Sequence, residues 1–416
     1  MADFQQNEPI GTLHRLAERP VESFEQELER RAPRKPMALV IPCLFSELAG
    51  DALPGILDEI SRIPYLHEVV IGLDQADAAQ FAEARRFFSR LPQRTRLLWN
   101  DGPRMRAIHD QLADLVLAPA EAGKGRNVWY CLGYVLSGGQ CEAVALHDAD
   151  ILTYERGMVA RLLYPIMQPT FGYSFSKGYY YRASEGRLNG RVVRLLVTPL
   201  LRALRITVGE HDYLRYLSAF RYPLAGEFAM GLDMTRSIRI PSDWGLEIGV
   251  LSEVYRVYRG RRICQVEIAG RYDHKHQEMS PTDANAGLHK MSHDISKAIY
   301  RKLAIDGMVF TSETFRAVKA AYYRHALDLV SHYRNDATFN GFGFDLHAEE
   351  SAVEVFAAAL MDAGEDYLSN PKETPFIPNW SRIESAVPDV LPQIYDAVEA
   401  DNAGDAGDAA GPAAAG

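Results

Sequence analysis

Only four of the 416 residues are cysteine, Cys43, Cys131, Cys141 and Cys264, and no two of them stand at CxxC spacing. That pattern excludes a zinc knuckle, a redox pair and a disulfide scaffold, and leaves four thiols expected to be buried. Long apolar runs are missing as well: no stretch of about 18 apolar residues occurs, and the opening MADFQQNEPIGTLHRLAERP lacks a basic segment followed by an apolar one. Neither a membrane span nor a secretory leader is expected, and the cytoplasm is the default compartment. Positive charge is also short, with 45 Lys and Arg against 55 Asp and Glu and a formal net charge of −10. A protein that coats nucleic acid needs the opposite sign, although a small phosphorylated ligand needs only a local basic pocket. What remains is ordinary: 47% hydrophobic and 24% charged residues, a globular composition in a chain long enough for two domains.

The pattern along the chain alternates. After a charged helical lead-in over residues 1–36, MALVIPC at Met37–Cys43 and EVVIGLD at Glu68–Asp74 are apolar runs of strand length. Residues spaced as in a helix follow each one, over Leu53–Ile63 and Gln75–Leu91. Strands at Thr95–Trp99 and Glu142–Ile151 extend the series, so residues 37–151 are expected to be an α/β half built on a parallel sheet. Ligands of such sheets sit at the carboxyl ends of the strands, at a topological switch point. The polar positions there are Pro42 to Glu47, Asp74 and Asp148 to Asp150. Residues 152–290 turn aromatic and basic, with a long helix over Gly190–Leu204, an apolar segment Tyr222–Met230, a helix Leu246–Tyr258 and a late strand in ICQVEIAGRYDHKHQ. Residues 291–400 read as an all-helical appendix, and the Gly/Ala-rich acidic stretch 401–416 as a disordered tail.

Four clusters could carry chemistry. In HDADI, Asp148 and Asp150 follow an apolar strand, and in an extended segment residues i and i+2 face one side, so both carboxylates can converge on a hard cation with diphosphate oxygens completing its shell. The bland alternative is a solvated strand end. Gly123-Lys124-Gly125-Arg126-Asn127 precedes a helix, where glycines admit phosphate, a helix N-terminus favours anions, and Lys and Arg add charge; otherwise it is a basic surface turn. It is not a Walker loop, because Ala118 and Gly125 stand where that motif needs Gly and Ser or Thr. In Tyr272-Asp273-His274-Lys275-His276 the two imidazoles point the same way if the segment is extended, and one could join Asp150 at a metal, or the group is a titrating surface cluster. Lys177, Arg182, Arg187, Arg191 and Arg194, beside the turn Asn189-Gly190, form a cationic island in an acidic chain and invite a phosphate or carboxylate, unless the arginines simply line an exposed helix. Glu227 and Glu247 are acids in apolar surroundings, where burial raises the pKa unless a partner offsets it.

Taken in order, VIPCLFSE, GKGRNVW, HDADI, KGYYYR, NGRVVRLLVTPLL, PLAGEFA, GLEIGVL and YDHKHQ give a chain that resembles the glucosyl-3-phosphoglycerate synthases over about residues 37–290. These are retaining glycosyltransferases of the GT-A type, with a Rossmann-like nucleotide-sugar-binding fold. The helical region after 291, through ETPFIPNW, resembles the archaeal and bacterial members with long C-terminal extensions. The resemblance implies transfer of glucose from UDP-glucose to the 2-hydroxyl of D-3-phosphoglycerate, a step toward the compatible solute glucosylglycerate. By family pattern Pro42, Leu44 and Glu47 line the uridine pocket, with Asp74 and Gly123 on the same donor side, Lys124 approaches the nucleotide, and Asp148 contacts its ribose or uracil. Asp150 and His274 hold Mg2+ or Mn2+. Gly190, Arg191 and His276 bind the phosphoglycerate, joined by Lys177 of the cationic island. Leu224 and Glu247 bound the transferred glucose at the catalytic centre. Val193 stands where the family has Thr and His276 where it has an amide, both on the acceptor side. A homodimer is implied too. The competing readings are a mannosyl-3-phosphoglycerate synthase using GDP-mannose and a non-catalytic nucleotide-sugar-binding protein.

Overall fold

The computed structural model describes residue 6 and residues 9–119, 121–242, 245–258, 260–274, 284–371 and 376–404, without the side chains of 284–286. Eight strands form one sheet: Gly11–Leu13 (β1), Met37–Leu44 (β2), Leu66–Asp74 (β3), Arg94–Trp99 (β4), Ala143–Leu146 (β5), Phe175–Tyr179 (β6), Phe228–Gly231 (β7) and Ile263–Glu267 (β8). Their spatial order is β1-β8-β6-β7-β5-β2-β3-β4. All neighbours are parallel except that β7 runs antiparallel to both β5 and β6.

The helices in the first part are Val21–Arg31 (α1), Ala52–Ile60 (α2), Ala78–Phe88 (α3), Pro103–Asp114 (α4), Lys124–Gly138 (α5) and Arg156–Met167 (α6). Strands buried on both faces explain the unbroken apolar runs. In β2, Met37, Leu39, Ile41 and Cys43 face one core with α2, α3 and α6, while Ala38 and Val40 face the other with α4 and α5. The strand order runs β4-β3-β2 and then passes to β5, so the switch point lies between the carboxyl ends of β2 and β5, where a ligand site is expected. Because β7 is antiparallel, its beginning, not its end, reaches that same edge of the sheet, and with it come the carboxyl ends of β6 and β8.

Sequence pattern and structure differ in three places. The strand expected over Glu142–Ile151 stops at Leu146, where both flanking strands release it: the last pairs are Val40 with Leu146 and Leu146 with Phe228. The lead-in contains a strand as well as a helix, since β1 pairs with β8 at the far edge. Helix Val390–Ala403 continues through Asp401 and Asn402, which the composition assigns to the tail; Asp401 pairs with Arg104, and the Asn402 amide exchanges hydrogen bonds with the Leu97 backbone. All four cysteines are buried, as expected. No helix among the described residues is long and apolar enough to cross a membrane.

The later helices are Thr198–Thr207 (α7), Asp212–Ala219 (α8), Leu232–Ser237 (α9), Leu246–Val257 (α10), Ala284–Ile305 (α11), Ser312–Phe339 (α12), Leu346–Ser369 (α13), Trp380–Ala386 (α14) and Val390–Ala403 (α15). The 290/291 division falls inside α11, and residues of α11–α15 share one continuous core with the sheet. The contact of α14 with α5 is specific: Trp380 stacks on Trp129 with ring centroids 4.0 Å apart and planes 16° apart. Each indole also donates a hydrogen bond, Trp129 to the Pro378 carbonyl and Trp380 to the Trp129 carbonyl. Truncating such a buried aromatic removes its transfer energy and leaves a cavity. Trp380→Ala is expected to cost roughly 3–5 kcal/mol, read as a clear fall in the apparent melting temperature, whereas a melting curve that superposes on the wild type would show that the C-terminal helices do not brace the sheet.

Candidate active site

The β5 strand ends in a turn, not in an extended segment. His147 keeps a backbone hydrogen bond to Val40, and Ala149 and Asp150 then turn the chain. The convergence of Asp148 and Asp150 therefore comes from the turn and not from strand alternation. His147 itself points into the core: it is fully buried, neither ring nitrogen has a hydrogen-bond partner among the described residues, and burial pushes its pKa down to about 3. It stays neutral and packs edge-on to Tyr154.

Lys124, the first residue of α5, ties the site together. Its Nζ lies 2.7 Å from Asp148 Oδ1 and 3.1 Å from Glu247 Oε1, so one ammonium joins the start of α5, the turn after β5 and the first turn of α10. Burial favours the neutral carboxyl at Asp148, yet Lys124 overrides it and holds the group below its ordinary value. Gly226, just before β7, makes room: a Cβ there would stand 2.2 Å from Asp148 Oδ2. Gly125 has a different role from the one its motif suggests, because a Cβ on it would meet the Pro241 carbonyl at 2.0 Å. It lets α5 pack against the Pro241 backbone.

Asp150 is the odd carboxylate. Burial, Asp148, Glu227 and Glu47 raise its pKa to about 7, with only Lys124 opposing them, and its Oδ1 is buried with no hydrogen-bond partner among the described residues. An isolated antiparallel bridge between Ile151 and His274, with a hydrogen bond from Leu152 N–H to the Asp273 carbonyl, lays the YDH segment beside this turn. The Arg182 guanidinium donates to His274 Nε2 and also to Tyr222. Since arginine only donates, Nε2 is the ring nitrogen that carries the lone pair. A carboxylate oxygen without a partner among the described residues, in the turn, and an imidazole on the segment bridged to it are ligand types that suit a divalent cation whose remaining positions come from diphosphate oxygens and water. No group of three or more such side chains lies together among the described residues.

Behind this turn Glu227 is wholly buried and accepts hydrogen bonds from Tyr180 at 2.8 Å and Tyr272 at 2.7 Å. The two tyrosine rings stack at 3.6 Å with planes 1° apart. Tyr272 stands two residues before His274, so Glu227 fixes the approach of that segment. Burial and Asp148 raise the Glu227 pKa to about 7 against the pull of both hydroxyls.

On the donor side Pro42, Leu44 and Glu47 are half-buried at the carboxyl end of β2, and Gly123 is the residue before α5. Asp74 closes β3 and is held by Arg126 at 3.0 Å. Leu224 is half-buried just ahead of Gly226. The cationic island does not survive as one patch. Lys177 is wholly buried with its ammonium on the Ala225 carbonyl, and burial lowers its pKa to about 8 although Glu247 and Glu227 favour its charge. Arg182 turns to His274, while Arg191 and Arg194 both meet Glu349 of α13. Gly190 sits at φ +71°, a left-handed turn that opens the helix beginning at Arg191. Val193 is buried in the core, and His276 lies outside the described residues. Glu349 went unnoticed in the sequence; its only signal there is an acid on the apolar face of the Ala348–Ala363 helical pattern.

No family model matches the chain. The glucosyl-3-phosphoglycerate synthase of Persephonella marina is 42% identical over 405 residues, 97% of this chain and 100% of the relative. That of Methanococcoides burtonii is 38% identical over 403 residues, 96% of this chain and 98% of the relative. The crystal structure of glucosyl-3-phosphoglycerate synthase from Mycobacterium tuberculosis in complex with Mn2+, UDP and glucosyl-3-phosphoglycerate aligns over 71% of this chain and 88% of that chain, with a TM-score of 0.51 at 22% identity. This likeness shows a shared GT-A type α/β fold.

The raised Glu227 pKa has a sign that can be checked. The folded chain holds that proton more tightly than an unfolded chain does, so the contribution to stability is complete below the ordinary value of 4.5 and is lost as pH rises toward about 7. Glu227→Gln keeps a hydrogen-bond acceptor and carries no charge. In chelator, the melting temperature of the variant minus that of the wild type is expected to rise between about pH 5 and pH 8; a difference that stays flat or falls would refute the buried, protonated carboxyl.

Proposed function

The chain belongs to the glucosyl-3-phosphoglycerate synthase family, and from that premise we propose how its residues carry glucose from UDP-glucose to the 2-hydroxyl of D-3-phosphoglycerate with retention. The supporting observation is the convergence of Lys124, Asp148, Asp150, Glu247 and His274 at the switch point of the sheet. Residues 37–151 form the donor half in this reading, residues 152–290 the acceptor half, and 291–400 the helical extension.

Pro42, Leu44 and Glu47 bound the uracil and ribose at the end of β2, with Asp74 and Gly123 on the same side. Asp148, kept ionised by Lys124, accepts hydrogen bonds from the nucleoside. Lys124 faces the diphosphate, and the start of α5 adds its backbone donors. Asp150 and His274 would hold Mg2+ or Mn2+, His274 through the Nε2 that accepts from Arg182 in this structure. A bound divalent cation supplies charge stabilisation for the departing diphosphate. Glu247 and Leu224 bound the glucose, Glu247 being fixed by its ion pair with Lys124 at 3.1 Å. Gly190 and Arg191 receive the acceptor phosphate at the start of the following helix, with His276 and Lys177 on the acceptor side.

Retention then follows a same-face substitution. The bond from C1 to the diphosphate oxygen breaks, the acceptor 2-hydroxyl bonds to C1 on that face, and its proton passes to the departing phosphate. A double displacement needs an ionised carboxylate nucleophile beside C1. Glu247 is engaged by Lys124, and Glu227 is enclosed by two tyrosine hydroxyls, which leaves neither suited to that role. A cytoplasmic homodimer is part of the same reading.

Asp150→Ala and His274→Ala are each expected to lower kcat by roughly 100-fold or more while the far-ultraviolet circular dichroism and melting curve persist; near-normal turnover in both variants would sink the metal assignment. UDP-glucose is expected to be turned over at least ~10-fold more efficiently than GDP-mannose, and the reverse order in a side-by-side assay would make this chain a mannosyl-3-phosphoglycerate synthase.

A further inference from the structure

We infer that Glu349, on α13, positions Arg191 for the acceptor phosphate, so that a helix of the C-terminal region is part of the acceptor-binding machinery. The inference rests on the reading of Gly190 and Arg191 given above. Glu349 is 5% exposed and lies between two guanidinium groups. Its Oε1 accepts from Arg191 Nε at 3.0 Å, and its Oε2 from Arg194 Nη1 at 2.9 Å.

The two arginines are used differently. Arg194 is buried and directs its donors into the protein: Nε to the Asn189 carbonyl at 2.9 Å, Nη1 and Nη2 to Glu349, Nη2 also to the Leu188 carbonyl, with its guanidinium over the Tyr333 ring. It locks the turn that carries Gly190. Arg191 engages Glu349 through Nε alone, its side chain is 37% exposed, and neither Nη group has a partner among the described residues. A guanidinium anchored at Nε has its plane fixed and offers its two Nη groups as a fork, the geometry that binds a phosphate bidentately. The fork stands at the start of the helix opening at Arg191, where unpaired backbone N–H groups favour the same anion. Arg194 and Glu349 are thus the frame, and Arg191 is the hand.

A competing role for Glu349 is mere neutralisation of the two guanidinium groups, in which case removing it strengthens anion binding. The full chain tests this through the KM of D-3-phosphoglycerate, the KM of UDP-glucose and kcat. Glu349→Ala is expected to raise the acceptor KM about 10-fold with the donor KM and kcat within about 2-fold, because only acceptor alignment is lost. Glu349→Gln, which keeps an oxygen for Arg191 Nε, recovers most of the loss. Glu349→Asp keeps the charge that Arg194 needs but falls one methylene short, and raises the acceptor KM by roughly 5-fold; it carries the test if the alanine variant fails to fold. With D-glycerate, which lacks the phosphate, wild type and Glu349→Asp are expected to agree within about 2-fold. Arg191→Ala is measured alongside. An acceptor KM that is unchanged or lower in Glu349→Asp, while Arg191→Ala raises it, overturns the role of Glu349. An acceptor KM unchanged in Arg191→Ala overturns the acceptor-site reading itself, and this inference with it.

Discussion

One ammonium group decides how the site is assembled. Lys124 Nζ is shared between Asp148 and Glu247, and these three residues come from α5, the turn after β5 and α10. Without that cation two carboxylates would face each other across a partly buried cleft, and one would have to protonate or withdraw. With it, Asp148 stays ionised, while burial and then the charge of Asp148 raise the pKa of Asp150, two residues on, to about 7. Neighbouring carboxyls two residues apart thus differ in character, one ionised and one holding its proton more tightly.

The strand reversal at β7 matters almost as much. A uniformly parallel sheet would send the Leu224–Glu227 segment to the opposite edge. Because β7 is antiparallel to β5 and β6, Gly226 packs against Asp148 and Glu227 receives the hydroxyls of Tyr180 and Tyr272. That buried acid in turn steadies the segment that carries His274. The site is therefore a property of topology as much as of motif.

The apolar runs at Met37 and Glu68 were legible because strands covered on both faces lose their alternation, Asp148 and Asp150 because polar residues after such runs stand at strand ends, and Lys124 because a glycine-flanked basic residue opens a helix. Other parts were not. The three residues of β1 carry no pattern of their own and pair only through β8. The turn at Ala149 and Asp150 follows from the loss of both of β5's ladders at Leu146, where its pairing with β2 stops and β7 begins, a fact of neighbours and not of local sequence. Lys177 read as one of several exposed cations, yet it lies at a sheet position whose cross-strand partner is Phe228, so burial, not charge, decides its state. Glu349 sits far from Arg191 in sequence, and only the packing of α13 against the helix that begins at Arg191 joins them. The helices after 291 share their core with the sheet, where spacing alone suggested an appendix.

The Asn402 side chain, which exchanges two hydrogen bonds with the backbone of Leu97, has a consequence in time. It occupies the open edge of β4 as a surrogate strand residue, and it lies 305 positions later in the chain. At ordinary synthesis rates of about 5–20 residues per second, β4 leaves the ribosome roughly 15–60 s before its cover exists. During that interval the nascent sheet presents a row of unpaired peptide groups, the kind of edge that recruits other strands. The last helix thus acts as a late seal, and a ribosome that stalls before it releases a chain with an adhesive margin.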